Sequence, residues 1–147
     1  MDVMRFSINE KTAAFLCVLS GITVATTISP SGEYFLGNFI YFWLPQLGIL
    51  ALTAIINSRP AVISGAALVL ALYLAAFNSW SSDSMAWLGY LFSLPGAAIG
   101  SAIGAANIKN RATTTAIHAC SAVAASTIIG LSINQLLVCS TVMHCAF

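Results

Sequence analysis

Charged side chains are so rare in this sequence that they divide it into five long apolar stretches. The 147 residues include five basic and four acidic side chains, together 6% of the chain. A soluble domain carries about 25% charged residues, because its surface must face water. A lipid-facing surface has no such requirement, and about 20 apolar residues let a helix cross the hydrocarbon layer. The sequence therefore predicts an all-α, polytopic transmembrane helix bundle.

Five spans placed between the charges use nearly the whole chain. Pro60 fits the first turn of the third span, where a missing N–H costs nothing. The predicted spans, which form a single transmembrane domain of residues 1–147, cover residues 12–29, 35–56, 61–78, 85–107 and 112–138. The first span also has the flanks of a secretory signal peptide, although Thr23-Val24-Ala25 is a poor cleavage site.

The basic residues predict which way the bundle faces. Lys and Arg accumulate on the cytoplasmic side of membranes. With a cytoplasmic N-terminus and an external C-terminus, five crossings place every basic residue inside and leave only Glu33 and Asp83 outside. Trp and Tyr favour the headgroup region, and the aromatic residues near the predicted outer loops are Tyr34, Phe35, Trp80, Trp87 and Tyr90. This pattern suits a bacterial inner membrane.

Two stretches of the chain resemble each other at a constant offset. Phe42-Trp43-Leu44-Pro45 and Phe92-Ser93-Leu94-Pro95 share Phe, Leu and Pro, and the same offset pairs Arg59 with Lys109. Repeat units with an even number of helices are parallel rather than inverted. A tandem two-helix repeat is one interpretation, and chance is the other, because Leu-Pro matches are common in apolar sequence.

Small residues recur every four positions in the last two spans. Glycines at this spacing form a ridge that lets another helix backbone approach closely. The glycine-zipper residues are Gly96, Gly100 and Gly104 in the fourth span, with Ala122, Ser126 and Gly130 in the fifth. The pattern predicts packing of these two spans on each other, contact with a second copy or a different membrane protein, or a pore lined by glycine helices.

A few polar residues and prolines interrupt the apolar spans. Pro45 and Pro95 should kink their helices, because each removes a backbone hydrogen bond. Gln46 could satisfy a freed carbonyl or bond to a neighbouring helix, while Asn134 continues the small-residue stripe of the fifth span. His118, expected about two turns into that span, is the one intramembrane residue that could titrate near neutral pH.

The remaining chemistry is sparse. Cys139 and Cys145 lie at the predicted outer end and could form a disulfide in an oxidising compartment. With His144 they still make a poor zinc site, so we expect neither a metal nor another cofactor. The chain offers no basic patch for nucleic acid and no convincing nucleophile–base pair, so we expect no enzyme.

Two function classes remain. The first is a membrane protein that packs its helices against another membrane protein in the bilayer, as an accessory subunit, an assembly factor or an inhibitor. Small toxin-immunity proteins have a similar length and composition, although no family motif is present. The second is a channel, a holin-like pore formed by self-association, or a small transporter, because uncharged linings such as backbone carbonyls can conduct.

Overall fold

The computed structural model describes residues 9–80, 86–111 and 114–141. Five helices of 19 to 26 residues lie there, each long and apolar enough to cross a membrane. They are α1 (Glu10–Ile28), α2 (Phe35–Ile56), α3 (Pro60–Trp80), α4 (Ala86–Lys109) and α5 (Ala116–Thr141). All regular secondary structure in these ranges is helical, so the prediction of an all-helical, membrane-spanning chain is confirmed.

Helix α1 begins at Glu10, slightly earlier than the sequence pattern predicts. The side chain of Asn9 caps it by accepting a hydrogen bond from the backbone N–H of Lys11 at 3.3 Å. Glu10 therefore belongs to the first turn, where the exposed N–H groups of a helix stabilise a negative charge.

Helix α5 begins at Ala116, four residues later than the predicted start at residue 112. The cap is Thr115, whose hydroxyl oxygen accepts from the N–H of His118 at 3.4 Å and whose carbonyl accepts from the N–H of Ala119 at 2.9 Å. Threonine is a favoured cap because its hydroxyl satisfies an otherwise unpaired N–H. His118 consequently lies in the first turn of α5 and not two turns inside it.

Helix α3 is the centre of the bundle, because it contacts all four other helices. The most extensive interface joins α4 to α5, and the next joins α1 to α3, while α2 packs against α3 and α4. We call the end that carries Lys11, Arg59 and Lys109 the basic end, and the end that carries Tyr34 and Trp80 the aromatic end. Helices α1, α3 and α5 run from the basic end to the aromatic end, and α2 and α4 return.

The core combines small residues, aromatic rings and a set of leucines and isoleucines, while many other large aliphatic side chains lie on the outside. In α3 the buried residues include Ala61, Ala66 and Ala67, whereas Ile55 of α2 and Ile117 of α5 are 81% and 83% exposed. Lipid is as apolar as these outer side chains, so hydrophobic burial does not hold such helices together. Close backbone packing and hydrogen bonds between helices must do so instead.

Candidate functional site

The glycine ridge of α4 lies against α5 of the same chain. A Cβ atom on Gly100 would collide with the carbonyl oxygen of Ser126 and lie 3.0 Å from the Cα of Thr127. Gly96 and Gly130 face each other, and a Cβ on either would collide with the carbonyl oxygen of the other. The two backbones therefore approach as closely as glycine allows, in antiparallel directions.

The basic end of this interface lies beside Gly104. The atoms of α5 nearest to Gly104 belong to Ser126 and Val123, and Ala122 is not among them. A further close approach joins α3 to α5, where a Cβ on Gly65 would collide with the carbonyl oxygen of Cys120. Sequence reasoning missed Gly65, although Ala61 four residues earlier gives it the small-residue spacing typical of helix contacts.

Both interior prolines lie inside continuous helices, Pro45 in α2 and Pro95 in α4. Proline lacks the N–H that would bond the carbonyl four residues earlier, and neighbouring helices can bond backbone carbonyls in the disturbed turn. In α2 the carbonyl of Phe42, three residues before the proline, accepts from the hydroxyl of Tyr90 at 3.4 Å. The kinks themselves stay a prediction.

The equivalent carbonyl of α4 has a partner on α5. It belongs to Phe92, and the side-chain amide of Asn134 donates to it. Asn134 thus continues the contact between the two helices beyond Gly130, toward the aromatic end. In both helices, the backbone next to the proline is bonded to a side chain from a neighbouring helix.

Hydrogen-bonded pairs between α2 and α4 form what we call the polar seam. Its pairs are Gln46–Tyr90, Thr53–Ser101 and Asn57–Ala105, at 2.8, 3.1 and 3.2 Å. Two of these pairs join residues 48 positions apart, so α2 and α4 run side by side in the same direction. Gln46 bonds to a neighbouring helix, as one of the sequence interpretations has it, and it is fully buried.

A second set of polar contacts joins α3, α4 and α5. The hydroxyl of Tyr73 lies 2.7 Å from the Ser93 hydroxyl and 3.4 Å from the side-chain oxygen of Gln135. Its ring stacks on Tyr90 of the polar seam with centroids 5.7 Å apart. Sequence reasoning named none of these side chains as polar contacts, because a lone tyrosine or serine in an apolar span carries no spacing signal.

An ion pair ties three helices together at the basic end. The guanidinium of Arg59 donates to both carboxylate oxygens of Glu10, at 3.2 and 2.9 Å, and to the carbonyl oxygen of Thr114 at 2.8 Å. The hydrogen bond to Glu10 raises the pKa of Arg59. One side chain therefore joins the starts of α1, α3 and α5.

Concave surfaces lie between the described helices. A groove of about 400 Å³ follows the outer side of the α4–α5 pair, and one of about 530 Å³ lies between α3 and α5. Apolar atoms line both almost completely. A cavity of about 550 Å³ lies at the aromatic end, among α1 to α4, and polar atoms form a far larger share of its lining.

The other predicted site residues have simpler positions. His118 is exposed beside the start of α5. Cys139 lies near the end of α5, where its sulfur accepts from Gln135 at 3.7 Å. Cys145 falls outside the described residues, so the predicted disulfide stays a prediction. Within the described ranges no cluster of three metal-ligating side chains occurs.

These features define an integral membrane helix bundle held together by glycine contacts and polar pairs. In the described helices, side chains of Asp, Glu, Lys and Arg occur only near the helix ends, at Glu10, Lys11 and Lys109. No family model, curated protein or solved structure matches the chain.

Proposed function

We propose that the chain binds another membrane protein within a bacterial inner membrane, as an accessory subunit, assembly factor or toxin-immunity inhibitor, in a binding and not a catalytic role. The observation that carries this proposal is the outer groove of the α4–α5 pair. Gly96, Gly100 and Gly130 form its floor, and the exposed side chains of Ile99 and Ile129 belong to its walls.

The groove suits a partner helix for two reasons. The close contact of the two backbones fixes its floor, so little rearrangement opposes binding. Its isoleucine walls are β-branched and lose little rotamer freedom when a partner covers them. A transmembrane helix with small residues on one face would fit such a floor.

The groove can be tested without disturbing the bundle. Ile103, 54% exposed on the groove wall, can be changed to Trp to fill it, and Ile55, 81% exposed on α2, gives the matched control. A photocrosslinker at Ile103 in native membranes should capture one partner that also co-purifies with the wild-type chain. Co-purification should fall at least tenfold in Ile103→Trp and persist in Ile55→Trp. Equal binding by both variants would contradict the proposal.

A channel or small transporter is the second candidate, and the cavity at the aromatic end favours it. Phe42 lines that cavity, and its carbonyl bonds Tyr90 of the polar seam, so the cavity adjoins a file of buried polar groups. The spans carry charged residues only near their ends, which weakens proton-coupled transport. Purified protein in liposomes distinguishes the two candidates, because ion or solute flux above that of protein-free vesicles would favour the second.

We also propose a cytoplasmic N-terminus, an external C-terminus and a tandem repeat of two helices. The shared position of Lys11, Arg59 and Lys109 at one end supports this orientation, since basic residues accumulate inside. The parallel course of α2 and α4, and the bonded carbonyls of Phe42 and Phe92, support the repeat.

A further inference from the structure

The cavity at the aromatic end has the composition of a binding site for a polar ligand. Its lining combines two asparagines, Asn38 and Asn78, with the aromatic residues Tyr41, Phe42 and Trp87. The two apolar grooves can be filled by lipid chains, which need no polar partner. A cavity with side-chain amides at the level of the lipid headgroups suits an occupant that carries polar groups.

The polar groups of the cavity retain unused hydrogen-bonding capacity. Asn38 uses one amide hydrogen to donate to the carbonyl of Tyr34 at 2.8 Å, which leaves its amide oxygen as an acceptor. The hydroxyl of Tyr41 donates to the carbonyl of Trp87 at 3.0 Å and keeps its own lone pairs. The side-chain amide of Asn78, which is exposed, makes no hydrogen bond within the described part of the chain.

The charge of the lining restricts the ligand. None of the described residues that line the cavity carries a formal charge. Helices α1 and α3 end beside it, near Ile28 and Asn78, whereas α2 and α4 begin beside it, near Asn38 and Trp87. The C-terminal ends of α1 and α3 carry a partial negative charge, and the N-terminal ends of α2 and α4 carry a partial positive charge. The two fields therefore largely offset each other. Among the described lining residues, an anion would find no basic side chain and a cation would find no carboxylate.

We propose that this cavity binds an uncharged, hydroxyl-bearing ligand, either a free sugar or the glycosyl headgroup of a lipid. Amides donate and accept hydrogen bonds, and so do hydroxyl groups. The aromatic rings offer apolar surface to the C–H faces of such a molecule. This site lies away from the outer α4–α5 groove, so the inference does not depend on the proposed partner.

Tryptophan fluorescence can report binding, because Trp87 lines the cavity and the chain contains three tryptophans. The variant Trp43→Phe with Trp80→Phe leaves Trp87 as the reporter. In phosphatidylcholine nanodiscs, methyl β-glucoside should change its fluorescence with saturation, whereas choline chloride and sodium phosphate should not. Nanodiscs that also contain glucosyl diacylglycerol test the lipid headgroup, so the two arms distinguish the sources.

Asn78→Leu should weaken the binding about five- to tenfold, as expected for the loss of a hydrogen bond. Asn107→Leu, at an exposed asparagine near the basic end, is the matched control and should bind like the parent. Far-UV circular dichroism checks that both variants are folded. The proposal is overturned if neither glucosyl probe gives saturable binding, or if choline or phosphate binds as tightly as the glucosyl probes. It is also overturned if Asn78→Leu and Asn107→Leu bind the glucosyl probe equally.

Discussion

The glycines of α4 meet different atoms of α5, so substitutions at these positions should not have equal costs. A Cβ on Gly100 meets backbone atoms, which cannot move without shifting the helix, whereas the closest atom to Gly104 is the rotatable hydroxyl of Ser126. We expect Gly100→Ala to lower the unfolding free energy by about 1–3 kcal/mol, the usual cost of overpacking. Gly104→Ala should cost less. Unfolding in mixed micelles, followed by circular dichroism, measures both.

The control for this series is a glycine with room around it. A Cβ on Gly48 of α2 meets nothing within 4 Å, so Gly48→Ala should be neutral or stabilise the chain by up to about 1 kcal/mol, the helix-propensity gain. If the Gly100→Ala variant were as stable as the wild type, the backbones of α4 and α5 would have to lie farther apart than the contacts of Gly100 indicate.

The buried pair of Gln46 and Tyr90 predicts a measurable coupling. Tyr90→Phe leaves the Gln46 amide without its hydroxyl acceptor, which should cost about 1–3 kcal/mol. In the double variant with Gln46→Leu the unpaired amide is gone, so a double-mutant cycle should give a coupling of about 0.5–2 kcal/mol. Tyr34→Phe, at a residue 77% exposed, should be neutral. Strict additivity of the two single changes would argue against the bond.

At the scale of helices, the sequence predicts where apolar spans lie better than where they start. The predicted span of residues 35–56 has the same bounds as α2, because loop residues precede and follow it directly. The start of α5 depends on Thr115, one of three consecutive threonines that are equally plausible caps. The choice among them is made by tertiary contact, because the carbonyl of Thr114 is bonded to Arg59.

The candidate site also has one part that the sequence predicts and one part that it does not. The small residues of α4 and α5 follow a regular spacing that can be read along one helix, so the ridge could be proposed from sequence. The pairing of Thr53 with Ser101 depends on α2 lying beside α4, two crossings later in the chain. Single hydroxyl residues in two separate spans carry no mark of that proximity, so sequence reasoning could name Gln46 but not the Thr53–Ser101 pair of the polar seam.

The contacts of Arg59 lead to a prediction about three helices at once. Its pair with Glu10 is partly exposed, with 28% and 33% of the two side chains accessible, so Glu10→Gln should cost only about 0.2–1 kcal/mol. Arg59→Gln should cost more, because the carbonyl of Thr114 also loses its donor. In Arg59→Gln, amide hydrogen exchange should rise at the starts of both α1 and α5. Lys109→Gln, at an exposed lysine, is the control. A rise in exchange that is confined to α1 would contradict the three-helix tie.

At the scale of the whole molecule, the bundle separates its surfaces by chemistry. Several of its buried polar groups are paired across α2 and α4 or gathered around Tyr73, so bonds that a lipid environment does not weaken help to hold the interior. The buried hydroxyls of Ser29, Ser64 and Thr127 instead donate to carbonyls of their own helices. Apolar atoms line the outer α4–α5 groove almost completely, whereas the described residues that line the cavity at the aromatic end include two asparagines and carry no formal charge. A helix partner and a small polar ligand would therefore occupy different places.

The orientation of the whole bundle gives the last prediction. Single cysteines at Ser31, Ser58 and Asn110, all exposed between helices, can be introduced into a background without other cysteines. With the basic end in the cytoplasm, an impermeant maleimide added to intact cells should label only Ser31→Cys, because the other two positions lie at that end. After permeabilisation, all three should react, which shows that their thiols are accessible. Labelling of Asn110→Cys from outside would contradict the orientation, since Lys109 and Arg111 beside it would then face the exterior against the distribution of basic residues in membrane proteins.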